Sequence, residues 1–200
     1  MKTVLKGFVC AGDFSDISRR AVLIENGRIA AVQKDIIGTA AADKIYSFKD
    51  EIIAPGFIDA HGHSDLSAPA APECFSKISQ GITSEVCGNC GLSPFPVTGN
   101  NREHLEELYS NYALPVNWDD HHTYCRKISE YAPAVKLFAL CGHNTLRAAV
   151  AGYEKRSCPV LNLRRCAICW KINYVPALRD YRPDYSTFPA VLLRRMNSWL

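Results

Sequence analysis

The sequence predicts an α/β chain with a small β domain of β-sandwich type over residues 1–53, then strands alternating with helices over 54–155. Three observations carry this. Apolar and polar residues alternate with a period near two through the first fifty positions, and from residue 54 short apolar runs alternate with helix-period segments. The third is length, because 200 residues suffice for one ordinary domain, or for a small domain joined to part of a larger one.

The first two strands lie in "TVLKGFVCAGD" and "AVLIENGRIAAVQ", and the second of these segments contains a hairpin turn at Glu25-Asn26-Gly27. A further strand, "KIYSFKDEIIAPG", closes a small antiparallel sheet near Ile53. "GFIDAHGHSD" then reads as a buried strand with histidines at its C-terminal end. "PECFSKISQG" is a short helix ended by Gly81, and "ITSEVCGNCG" is the next strand with its loop. "NREHLEELYSNYAL" is a helix, and Asp119 or Asp120 is placed to cap another that starts at "HHTYCRKISEYAP". "AVKLFALCGHNTLRAAVAGY" supplies a buried strand, a loop at Gly142-His143 and the start of a helix.

No run of 18 apolar residues is present, which argues against a transmembrane helix and a membrane partner. Lys6 and Asp13 interrupt the N-terminal segment too early for a secretory signal, so a cytoplasmic location is expected. Nine cysteines in such a compartment read as free thiols, and the odd number prevents complete internal pairing. The net charge of +3 conceals an asymmetry: residues 155–200 carry nine Lys and Arg against Asp180 and Asp184 alone.

His61 and His63 in "IAPGFIDAHGHSDLSA" are the first candidate site. On an extended strand residues i and i+2 share a face, so both rings can reach one cation, and Asp59 and Asp65 are placed to orient them as hydrogen-bond acceptors. The alternative is two exposed loop histidines. Cys90 follows His63 by 27 residues, at the end of the next predicted strand. A thiolate there is a soft, charged ligand for zinc, whereas the structural reading makes it a small residue in a glycine-rich turn. "DDHH" at 119–122 is set aside, because adjacent helical residues point in different directions. Cys87-x-x-Cys90 and Cys166-x-x-Cys169 lie too far apart in sequence for a zinc ribbon, and a redox dithiol at Cys87 and Cys90 is likewise set aside.

These segments carry a family resemblance. "APGFIDAHGHSD" resembles the first barrel strand of the amidohydrolase superfamily, and "GITSEVCGNCGLSPFP" resembles the cysteine-containing second strand of its D-aminoacylase branch. "AVLIENGRIAAV" is similar to that family's N-terminal sheet domain, and "CGHNTLRAAVAGYE" to its next strand and helix; the likeness covers roughly residues 1–155. The resemblance implies the first part of a metal-dependent (β/α)8 TIM barrel and a zinc hydrolase of N-acyl-D-amino acids. By position it implies His61, His63 and Cys90 as metal ligands. His143 and Arg147 fall in a matching motif near the barrel mouth and are candidates for substrate binding.

A complete barrel of this kind needs about 250 residues. The family's two further metal-binding histidines and its catalytic aspartate belong to later strands, and no histidine follows His143 here. The chain is therefore expected to be an inactive N-terminal fragment without its catalytic base, and an incomplete barrel with open edges is expected to aggregate. The tail from residue 156 has two readings. "NLRRCAICWKINY" interleaves cationic and aromatic residues as a nucleic-acid patch does, with Arg164, Arg165, Arg194 and Arg195 as phosphate contacts. Against that, glutamate vanishes after Glu154 and no helical or strand period persists, which favours a disordered or frameshifted segment. Shifting the reading frame forward by one nucleotide permits an acidic leucine-rich helix and then a segment resembling the family's next barrel element. Besides the nucleic-acid binder, the competing class is a cyclic-amide hydrolase of the dihydropyrimidinase or dihydroorotase type, which shares His-x-His but recruits a carboxylated lysine in place of the cysteine.

Overall fold

A computed structural model describes residues 1–10, 15–34, 42–154, 164–166 and 190–194. The first of two compact units runs to Phe57 and the second begins at Ile58, slightly later than the predicted boundary after residue 53. In the first unit β1 (Lys2–Cys10) pairs antiparallel with β2 (Ile17–Glu25), which pairs antiparallel with β3 (Arg28–Gln33). Asn26 and Gly27 both adopt positive φ, 52° and 78°, the geometry a two-residue hairpin turn of type I′ requires.

β4 (Lys44–Pro55) departs from the antiparallel expectation. It runs parallel to β1, with Thr3 opposite Lys44 and Val9 opposite Ile53, and the register slips between Lys6 and Phe8. Parallel neighbours need a long crossover, and here the β2–β3 hairpin lies within it. Among the described residues the unit is one sheet rather than a sandwich of two. Val9, Val22 and Ile53 form its buried cluster, with Leu5, Ile24 and Phe48 packed around them.

The second unit alternates strands and helices as predicted: β5 (Phe57–Asp59), α1 (Ser64–Ala70), α2 (Phe75–Ile78), β6 (Ile82–Cys87), α3 (Arg102–Ser110), α4 (His121–Tyr131), β7 (Lys136–Ala139) and α5 (His143–Ala151). Its sheet has the order β5-β6-β7, and β6 runs parallel to β7 from Ser84 opposite Lys136 to Cys87 opposite Ala139. Helix α1 is not foreshadowed by the sequence pattern and contains Pro69. Gly81, at φ 80°, follows α2 as expected.

β5 and β7 are not the buried strands the sequence predicts. β5 is only three residues long with Ile58 46% exposed, and β7 exposes Lys136, because both lie at the edges of a three-stranded sheet. The core lies between the sheet and the helices, where Phe95, Tyr109, Trp118 and Tyr124 pack with Leu105 and Ile128. The Trp118 indole N–H donates to the Pro94 carbonyl at 2.8 Å.

In the basic tail, Arg164–Cys166 form a helical turn, and β8 (Ala190–Arg194) joins the first sheet antiparallel to β4, with Glu51 opposite Arg194. The open edge of β4 offers β8 its backbone partners. The remaining residues of the tail, on which the frameshift and nucleic-acid readings chiefly rest, lie outside the described residues. Among the described residues no helix is long and apolar enough to cross a membrane.

Asp120 caps α4: its carboxylate accepts from the Thr123 backbone N–H at 2.8 Å, and the Thr123 hydroxyl reaches back to the Asp120 N–H. The Thr123 backbone N–H above all, and the Thr123 hydroxyl, which donates to the same carboxylate at 2.7 Å, hold the Asp120 carboxyl below its ordinary value of 3.8. Asp120→Ala is expected to cost about 1 kcal/mol in denaturant melts at neutral pH. A depressed carboxylate stabilises the fold above its unfolded pKa and loses that effect as pH falls through the folded pKa, so the difference from wild type should shrink below pH 3.8.

Candidate metal centre

The two histidines lie just beyond β5 rather than on it. The strand ends at Asp59, whose carboxylate accepts the His61 backbone N–H at 3.1 Å, and the Gly62 N–H donates to the Val86 carbonyl at 2.9 Å. His63 is the N-cap residue of α1. The shared face of an extended strand therefore does not explain the convergence; a tight loop anchored to β6 does.

Cys90 sits in the loop after β6. Its backbone is left-handed at φ 54°, a conformation that costs a residue bearing a Cβ roughly 1–2 kcal/mol. Asn89 ties this loop to the first, its side-chain amide donating to the Gly62 carbonyl at 3.1 Å and the Val86 carbonyl at 2.8 Å. From the other side, Asn144 and Thr145 at the start of α5 donate backbone N–H groups to the Gly91 carbonyl at 2.8 and 3.1 Å. A Cβ on Gly142 would overlap the Gly91 backbone, so only glycine permits this approach.

The result is a three-residue cluster. His61 Nε2 lies 3.3 Å from Cys90 Sγ, and Cys90 Sγ lies 3.6 Å from His63 Nε2. The ligand atoms of the three residues are all within 4.8 Å of one another, and all three residues are exposed. Tetrahedral zinc with bonds of about 2.0–2.1 Å to nitrogen and about 2.3 Å to sulfur places those atoms about 3.5 Å apart, so the donor set and its two nitrogen-to-sulfur distances fit that ion. Among the described residues no other group of three His, Cys, Asp or Glu side chains meets this criterion.

Beneath the histidine loop is a charged group that sequence reading missed. Glu85 on β6 is fully buried, and its carboxylate accepts the Ser64 N–H at 2.8 Å and the Ser64 hydroxyl at 2.6 Å. The Lys77 ammonium stands 3.1 Å from Glu85 Oε2 and 2.5 Å from Asp59 Oδ2. Burial works against the Lys77 cation, but the hydrogen bonds to Asp59 and Glu85 outweigh it and raise its pKa. The same Lys77 bond, joined by the His61 N–H, lowers the Asp59 pKa. A Cβ on Gly62 would overlap the Glu85 carboxylate. The available signal was an acidic residue inside the apolar strand "ITSEVC", where a buried charge demands a partner.

The other candidates are placed differently. Asp59 bonds the His61 backbone rather than its ring, and Asp65 is buried, its carboxyl pushed up to about 6 by that burial. His143 is exposed at the first position of α5, and Arg147 donates to the Gly152 and Glu154 carbonyls at 3.1 Å each. Neither belongs to the three-residue cluster. Cys87 is fully buried while Cys90 is exposed, and burial raises the Cys87 thiol well above its usual range. An open cleft adjoins His63, where Leu66, Leu92, Leu105 and Tyr109 stand beside the polar Asp65, Ser93 and Asn144.

No family model matches the chain. The chain is 39% identical over 145 residues to an N-acyl-D-glutamate deacylase of Alcaligenes xylosoxydans xylosoxydans, an alignment covering 72% of this chain and 28% of that protein. It is 35% identical over 133 residues to a D-aminoacylase of the same organism, covering 66% of this chain and 27% of the relative. The chain is a homologue of the N-acyl-D-amino-acid deacylases. A solved D-aminoacylase with a binuclear metal centre superposes on this deacylase homologue with a TM-score of 0.73 at 27% identity, covering 85% of this chain and 35% of that one. The N-acyl-D-glutamate deacylase of Bordetella bronchiseptica, solved with zinc and a phosphonate mimic of the tetrahedral intermediate, gives 0.71 at 28% identity, covering 84% and 35%. The chain thus spans little more than a quarter of the curated relatives' length.

Lys77→Met leaves the buried Glu85 carboxylate without its cation. Removing one partner of a buried pair costs about 3–5 kcal/mol, and denaturant melts should show a loss of that order.

Proposed function

We propose that residues 54–154 form the first part of the metal-dependent (β/α)8 barrel of a zinc hydrolase that cleaves the amide bond of N-acyl-D-amino acids. The carrying observation is the spacing of His61 Nε2, Cys90 Sγ and His63 Nε2 at 3.3 and 3.6 Å on two loops that follow neighbouring strands. The left-handed backbone of Cys90 supports it, because strain at a non-glycine residue persists where function or packing requires that side chain.

His61, His63 and Cys90 would hold the ion. When bound in such a site, zinc lowers the pKa of a water it carries toward ~7 and polarises the substrate carbonyl. The protein's own residues position and enclose. The cleft beside His63 offers apolar walls to the non-reacting part of a substrate. His143, exposed at the start of α5, is available to a substrate carboxylate; Arg147 would have to release the Gly152 and Glu154 carbonyls to join it. The remaining ligands and the general base would come from later barrel strands.

A chimera tests this: residues 1–154 replace the matching N-terminal segment of an N-acyl-D-glutamate deacylase. It should hydrolyse N-acyl-D-amino acids in preference to their L enantiomers, lose activity to a chelator, and lose at least a hundredfold in kcat/KM on Cys90→Ser. Full activity after that substitution would sink the reading.

In the 200-residue chain, Cys90→Gly removes a Cβ from a left-handed position. It should stabilise the loop by about 1 kcal/mol while abolishing the sulfur-to-metal charge-transfer absorption of added Co2+. Loss of both stability and absorption would indicate a structural cysteine instead.

A further inference from the structure

We propose that Asp59 and Glu85, bridged by Lys77, are positioning residues that set the metal affinity of the histidine loop. This rests on the reading of His61, His63 and Cys90 as ligands. The loop from Asp59 to Ser64 has no regular hydrogen bonding of its own, yet its two rings must meet a sulfur on another loop. Three of its backbone N–H groups are held, besides the Gly62 carbonyl that Asn89 grips. Asp59 takes the His61 N–H at 3.1 Å, Val86 takes the Gly62 N–H at 2.9 Å, and Glu85 takes the Ser64 N–H at 2.8 Å. Two of the three acceptors are carboxylates, and one ammonium bridges them at 2.5 and 3.1 Å. Both sides of the His-x-His segment are thus fastened to a single charged group.

The arrangement is specific in two ways. Glu85 is fully buried, so its carboxylate has no water to reorient toward and keeps its grip on Ser64. Gly62, between the two histidines, packs so closely over that carboxylate that a Cβ would overlap it. Partners of this kind around metal ligands typically change affinity by about 10–100-fold.

The experiment is a Co2+ titration of the 200-residue chain, read by thiolate charge-transfer absorption, with near-UV circular dichroism recorded on each variant. Asp59→Asn should weaken Co2+ binding about tenfold while leaving the dichroism unchanged. Because Asp59 acts through the His61 backbone, the same substitution in a His61→Ala background should change the residual affinity less than twofold. Glu85→Gln, which keeps the shape and removes the charge, should weaken binding in the parent chain and serves as the second variant if Asp59→Asn fails to fold. An unchanged affinity in both variants, or an equal loss with and without His61, would overturn the positioning role while leaving the ligands intact. Absence of Co2+ binding by the parent chain would overturn the ligand reading and this inference with it.

Discussion

The Glu85 carboxylate is the constraint around which the second unit is organised. A buried anion must have every lone pair occupied, and here the occupants come from separate elements: Ser64 at the start of α1 and Lys77 on α2, with Gly62 packed against it from the histidine loop. One side chain on β6 therefore specifies where the β5 loop runs, where α1 begins and how α2 lies against the sheet. An apolar residue of similar volume could fill the space, but it would not dictate which backbone N–H groups point inward.

The cysteine loop is governed by a different device. Its position comes from close backbone packing, with Gly91 held between Cys90 and the first N–H groups of α5, and Gly142 small enough to let the two loops meet. Asn89 then joins this loop to the first by donating to carbonyls on both. The histidines are fastened by charge and the cysteine by contact, and both nitrogen-to-sulfur distances fall where a tetrahedral ion would put them. That agreement matters more than any single ligand, because exposed histidines and cysteines are common and three donors at ion spacing are not.

The sheet of the second unit, like the cluster, is small among the described residues. β5 and β7 are edges, and Ile58, Phe75 and Leu92 stand well exposed in the second unit. In relatives of about three to four times the matched length, comparable elements form part of a longer protein. The hydrolase reading above places further strands against such edges, and the same strands would bring the ligands and base that the described residues lack.

Much of this was legible in the chain itself. The two-residue period, the Asn26-Gly27 turn, the alternation of strands and helices, and the His-x-His and Gly-Asn-Cys-Gly segments depend on local chemistry, so the sequence states them directly. What it could not state were relations between distant positions. The parallel pairing of β1 with β4 depends on which edge of the hairpin remains open, and the role of Glu85 depends on Lys77 and Ser64, respectively eight and twenty-one residues before it. The histidines were singled out on the expectation of a shared strand face, whereas a loop and not a strand brings their rings near one another. The sequence alone determined which side chains are able to bind a metal; only the tertiary structure decided that three of them meet, because convergence depends on backbone anchors that no local pattern encodes.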